Sequence, residues 1–202
     1  MGLFLYLFII LYLEIGCKRS CGSFFVCATI DSIEVKCMLD KAGVYALLNE
    51  KHIAYEVQEH EAVYTMEDLE RAGIVKRGVL LKNLFLRDSR GKQFALVSVP
   101  EEAKIDLKTL GEQIGLKKPG FASEERLMQV LGLQRGCVSP FGALNDESRT
   151  VPVVFDDSLT DDTVVGVHPN DSTASLWLQF GDLRALLEAH GSKILFVPFE
   201  KA

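Results

Sequence analysis

Lys82 is the most conspicuous residue in the chain, a charge set inside Leu80-Leu81-Lys82-Asn83-Leu84-Phe85-Leu86. An unpaired buried ammonium costs several kcal/mol, so Lys82 either turns to solvent along a sheet edge or stands in a pocket with partners. Strand alternation sends Leu81, Asn83 and Phe85 one way and Lys82, Leu84 and Leu86 the other. His168 is the second such residue. Pro169 fixes its own φ and restricts the residue before it, so the imidazole is held stiffly at a strand end, either to aim at a substrate or as a structural histidine. The third piece is Gly136-Cys137-Val138-Ser139-Pro140-Phe141-Gly142. Its glycines either let backbone N–H groups approach a developing oxyanion or serve an ordinary loop. Cys137 reads as a small buried filler, because nothing in the sequence pairs it with a histidine. His52, His60 and His190 show no metal-ligand spacing and read as helix-end or surface residues, so no metal site is expected. P-loop, GxGxxG and GxSxG motifs are missing from the sequence.

The 202 residues, 48% apolar and 25% charged, suit one globular domain with a sizeable core. A net charge of −6 argues against a protein that coats nucleic acid, and no DNA partner is expected. The charge is uneven: residues 76–135 hold 12 basic and 7 acidic residues, which leaves the remainder at −11. Such a zone on an acidic body can attract one end of a polyanion. Residues 1–37 differ from the rest, with an apolar run from Leu3 to Leu13 followed by four of the five cysteines. Eleven apolar residues are too few to span a bilayer. No Lys or Arg precedes them, so residues 1–37 are read as a leader: a targeting segment, a disordered tail or a start-site artefact. Asn170-Asp171-Ser172 fits the glycosylation pattern within a stretch of functional interest, which favours an intracellular protein. The cytoplasm is the expected location, with organellar targeting by the leader as the alternative.

From Met38 the pattern is that of one domain. Helices are expected over 40–50, 107–114, 124–131 and 182–190, with Asp106 and Ser123 as caps and Gly191 as a stop. A short helix is expected from Thr65 to Gly73. Strands are expected at 53–57, 79–86, 93–99, 152–155, 164–167, 176–179 and 194–199, the second and third joined by the turn Asp88-Ser89-Arg90-Gly91. This order implies a mixed α/β or α+β domain with one sheet and no repeats.

Taken together, "KNLFL" at 82–86, "GCVSPFG" at 136–142 and "GVHPNDSTASL" at 166–176 resemble the YbaK and prolyl-tRNA-synthetase-associated editing domain family, most of all its free-standing prolyl-tRNA editing proteins. The resemblance spans 38–202. It implies a central, curved, mostly antiparallel mixed sheet flanked by helices. The activity it implies is hydrolysis of the ester in alanine mischarged onto proline tRNA, without a cofactor. Clearance of cysteine or serine, and a silent module that binds tRNA or a synthetase, are the alternatives. The implied partners are the acceptor end of an aminoacyl-tRNA and, as proteins, prolyl-tRNA synthetase or an elongation factor. Carried onto matching positions, Lys82, Gly136 and His168 would be catalytic. Asn83, Ser139, Pro140, Phe141, Gly142, Gly166, Pro169, Asn170, Thr173 and Ser175 would shape the substrate site, and the Thr65 helix would cover it.

Overall fold

The computed structural model describes residues 38–62, 75 and 77–201. The leader 1–37 and the helix expected from Thr65 lie outside the described residues. Helix α1 (Lys41–Glu50) starts at Asp40, whose side chain accepts from Gly43 N at 2.8 Å. Strand β1 (Tyr55–Glu59) follows, two residues later than expected. The delay has a local cause: Ile53 N donates to Leu48 O at 2.9 Å, so Ile53 still closes the helix end. Strands β2 (Val79–Arg87) and β3 (Phe94–Pro100) form the expected hairpin, and β4 (Ala103–Lys104) lies just beyond it. Helix α2 (Leu107–Ile114) is capped by Asp106 and stopped by left-handed Gly115; after β5 (Gly120–Phe121), α3 (Glu124–Leu131) is capped by Ser123 and stopped by Gly132. A 3-10 helix occupies Pro140–Asn145. The chain continues through β6 (Val153–Asp156), β7 (Val164–Val167), β8 (Ala174–Gln179), α4 (Phe180–His190), β9 (Ile194–Val197) and β10 (Glu200–Lys201).

One eight-stranded sheet runs in the order β1-β8-β7-β2-β3-β6-β9, with β5 added alongside β2, while β4 and β10 form a separate pair. Pairing is parallel at β7-β2, β3-β6 and β6-β9, and antiparallel elsewhere. The domain is therefore a mixed α/β sheet with flanking helices. The near-continuous apolar runs of β2 and β3 follow from cover on both faces. Leu81, Phe85 and Leu96 join the larger core with Val165, Val167, Phe141 and residues of α1, α3 and α4. Leu86, Val97 and Val99 face the smaller core beneath Leu110 of α2. Helix α4 begins at Phe180, two residues earlier than expected, because its fully buried ring seats in the core and its N–H donates to Thr163 O at 2.8 Å. No helix among the described residues is long and apolar enough to cross a membrane.

Candidate active site

Strand β8 is antiparallel to both β1 and β7, and β7 is parallel to β2, so β1, β7 and β2 point the same way. Their C-terminal ends define one end of the sheet, and there the structure brings two histidines together. His168 follows β7, and its Nδ1 lies 2.9 Å from Ala174 O. His60 follows β1, with Nδ1 2.7 Å from Glu61 O and Nε2 3.0 Å from Ser175 Oγ. A carbonyl can only accept, so Nδ1 is the protonated nitrogen in each ring and Nε2 is the acceptor. The ring centroids are 6.4 Å apart in an edge-on arrangement. Burial pushes His168 below the ordinary imidazole pKa, opposed by the Ala174 hydrogen bond and reinforced by the His60 ring. A neutral His168 therefore presents Nε2 as a lone pair at neutral pH. The sequence pattern reads His60 as a helix-end or surface residue; the structure corrects this, placing it half-buried against His168.

The 136–142 segment reaches the same place. Ser139 Oγ donates to His168 O, tying the two loops directly. Gly136 takes a left-handed φ of 87°, which a side chain would strain. Beyond it the expected role changes. Phe141 N is bonded to Ser139 Oγ and Gly142 N to Ser139 O, inside the 3-10 turn. Phe141 is fully buried in the larger core, and a methyl group on Gly142 would lie 2.5 Å from Leu133 Cδ1. Pro140, Phe141 and Gly142 are thus placed to buttress Ser139 rather than to offer donors to an oxyanion.

Lys82 is half-buried, and Nζ donates to the backbone oxygens of Glu101, at 3.0 Å, and Ala103. An ammonium has three donors, so two are taken by these carbonyls. The pairing of Leu80 with Gly166 and of Gly166 with Trp177 puts Lys82, by alternation, on the sheet face that carries Gly166, Trp177 and Ser175. Asn83 does not stand beside Lys82 in space. It points to the opposite face, where Ser98 Oγ donates to its Oδ1 at 2.6 Å, so its expected place in the site is corrected to a buttress of β2 and β3. Gly166 has a packing reason of its own, since a methyl group there would sit 2.4 Å from Trp177 Cζ3.

The remaining loop is built on internal hydrogen bonds. Asn170 adopts a left-handed φ of 58°, and its Nδ2 donates to Leu39 O at 2.7 Å. Thr173 donates through N, at 2.7 Å, and Oγ1 to Asp171 Oδ1, and Lys41 Nζ bridges Thr173 Oγ1, at 2.9 Å, to Glu59. Burial opposes the charge of Asp171, yet the Thr173 donors hold its carboxyl below the usual range. Pro169 is buried. A groove of about 560 Å³ opens beside this loop, lined by Cys137, Asn170, Asp171, Leu39, Tyr45 and Leu133 among others. Cys137 is therefore half-exposed in a groove rather than a buried filler. Burial still pushes its thiol up, against hydrogen bonding to Ser172, so it is not poised as a thiolate. No cluster of three His, Cys, Asp or Glu residues suited to a metal exists among the described residues.

The chain is similar to known proteins in sequence and in fold. The model of the aminoacyl-tRNA editing domain matches residues 60–186. The prolyl-tRNA editing protein ProX of Acetoanaerobium sticklandii is 47% identical over 152 residues, covering 75% of this chain and 93% of that protein. Prolyl-tRNA synthetase associated domain-containing protein 1 of Danio rerio is 33% identical over 132 residues, covering 64% of this chain and 71% of that protein. A solved structure described as a candidate trans-editing enzyme for prolyl tRNA synthetase superposes with a TM-score of 0.56 at 21% identity, covering 79% of this chain and 95% of that chain, which supports the fold. On the strength of the matched domain, the chain belongs to the aminoacyl-tRNA editing domain family.

Proposed function

We propose that the chain is a trans-editing hydrolase that cleaves alanine from mischarged proline tRNA and spares the prolyl ester, working in the cytoplasm where tRNA is charged. The observation that carries this reading is the 47% identity that spans nearly the whole of ProX, a protein named for prolyl-tRNA editing. The chemistry agrees with the residues at hand. An aminoacyl ester is already activated, so its hydrolysis needs a placed water and donors for the oxyanion, without an acyl-enzyme. Neutral His168 offers Nε2 to orient that water or a ribose hydroxyl, and its own Nδ1–H is fixed on Ala174 O. Lys82 keeps a third donor for the ribose or terminal phosphate, as a positive point charge anchored by two carbonyls. The left-handed turn at Gly136 supports its role of letting backbone approach the aminoacyl carbonyl. Discrimination is by size, the means available where one methylene is worth only about 1–3 kcal/mol to a synthetase.

The purified chain, incubated separately with Ala-tRNA(Pro), Pro-tRNA(Pro), Cys-tRNA and Ser-tRNA, is expected to release alanine and leave proline attached. Protection of the alanyl ester would make the chain a binding module, and faster loss of cysteine or serine would reassign the cargo. Lys82→Ala is expected to abolish release; retained turnover would remove Lys82 from the mechanism. Co-purification with prolyl-tRNA synthetase or elongation factor tests the protein partners.

A further inference from the structure

The turn that joins β2 to β3 sits at the same end of the sheet as His60 and His168, because β2 runs parallel to β7. It is held against the loop after α2 by Ser89 N donating to Lys117 O at 3.0 Å. This contact gathers Arg87, Arg90 and Lys92 from the turn with Lys117 and Lys118 from the loop, all exposed except the half-buried Arg87. Among the described residues none of the five forms a salt bridge with a carboxylate. The acidic residue within the turn is turned inward: Asp88 Oδ1 accepts from Lys92 N at 2.7 Å and Gln93 N at 3.0 Å, and the Gln93 bond foremost holds its carboxyl below the usual range. Beside the loop is a shallow cavity of about 630 Å³ where Lys108, Lys117 and Lys118 outnumber Glu112. Phe121, 62% exposed, projects from β5, which pairs with β2 at Leu86 and Arg87.

We propose that this surface, formed by Arg87, Arg90, Lys92, Lys117, Lys118 and Phe121, grips the tRNA acceptor arm while its aminoacylated end lies in the site at His168. The inference rests on the editing reading and gives it a docking geometry. From Lys82 to Arg87 along β2 is about 17 Å at roughly 3.3 Å per residue. A nucleic-acid strand with a charge about every 3.4 Å passes several phosphates over that span. The rest of the chain carries −11, so attraction is confined to this patch and orients the polyanion instead of coating the protein. An exposed aromatic beside cations is a stacking platform for an unpaired base.

The test is the triple variant R90A/K117A/K118A, none of whose residues belongs to the site. Deacylation of Ala-tRNA(Pro) is expected to show a KM raised about tenfold with kcat unchanged, and a plot of log KM against log salt flattened by about 2 to 3 in slope. Hydrolysis of the alanyl ester of adenosine alone is expected to match the parent chain. Filter binding of uncharged tRNA(Pro) is expected to weaken in parallel, and F121A to weaken it without changing the salt slope. Unchanged tRNA affinity and salt slope in the triple variant would overturn the proposal. If its thermal unfolding is altered, R90Q/K92Q on the turn alone applies the same criteria. Loss of tRNA binding in the variant, with a parent chain that never releases alanine, would keep the surface and sink the editing reading. Rapid release by both chains with equal KM would do the reverse.

Discussion

The imidazoles of His60 and His168, 108 residues apart in sequence, meet edge-on at 6.4 Å with both Nδ1 atoms committed to backbone carbonyls. Burial disfavours a positive charge on His168, and the neighbouring His60 ring adds to that. The sign follows. The folded-state pKa of His168 is depressed, so stability and the neutral base are both present above the unfolded value of 6.5 and are lost as pH falls through the depressed one. Deacylation is expected to hold its rate down through pH 6.5 and fail only below it. In His60→Asn the pKa of His168 rises, and the acid limb of the kcat profile moves to higher pH. Imidazole Cε1–H titration by NMR checks this directly; identical His168 titration in both proteins would refute the coupling.

Ser139 Oγ links the two loops directly, donating to His168 O. Ser139→Ala removes that bond and leaves a part-buried carbonyl short of a partner, at a cost of about 1 kcal/mol. Since the same hydroxyl also accepts from Phe141 N, the 3-10 turn loosens with it. The expected outcome is a lower melting temperature and a fall in kcat greater than the rise in KM, because what is lost is the aim of His168. Ser139→Thr, which keeps the hydroxyl, is expected to restore part of the rate, and a variant with normal kcat would separate the loop contact from catalysis.

Helix ends were the most legible part of the fold, because Asp106, Ser123 and Gly191 act through local hydrogen bonds and local backbone conformation. The Asp88–Gly91 turn was legible for the same reason. The site was legible only where the signal was local. His168 announced itself through Pro169, and Lys82 through its leucine neighbours. His60 did not, since its place beside His168 arises from pairing β1 with β8, which sets its Nε2 on Ser175 across 115 residues. Asn83 shows the reverse: the resemblance set it in the substrate site with Lys82, while strand alternation carries it to the other face. The glycines at 136 and 142 looked equivalent, yet one holds a left-handed turn and the other makes room for Leu133.

Gly166 and Trp177 are partners across β7 and β8, and the indole lies flat enough on Gly166 to exclude even a methyl group. Gly166→Ala is therefore an overpacking substitution, expected to cost about 1–3 kcal/mol. On a domain of this size that lowers the melting temperature by roughly 2–4 °C per kcal/mol. Trp177 is the single tryptophan, 2% exposed, so its emission reports the displacement without interference. An unshifted spectrum with unchanged stability would mean that the ring has room the packing denies it.

Cys137 tests whether the groove it shares with Asn170 and Asp171 works by a thiol. Burial holds the thiol above its ordinary pKa, so at pH 8 it carries less thiolate than a small-molecule thiol and should alkylate more slowly. Alkylation alone decides nothing about catalysis, because a carboxamidomethyl group on Cys137 adds bulk to the groove wall shared with Asn170 and Asp171. Cys137→Ala separates the two effects: it removes the nucleophile and enlarges the groove. A water-mediated hydrolysis predicts deacylation by this variant within about twofold of the parent rate, and resistance of its activity to iodoacetamide. An inactive, correctly folded Cys137→Ala, together with a trapped alanyl thioester on the parent chain, would instead establish covalent catalysis and displace His168 from the role of orienting water.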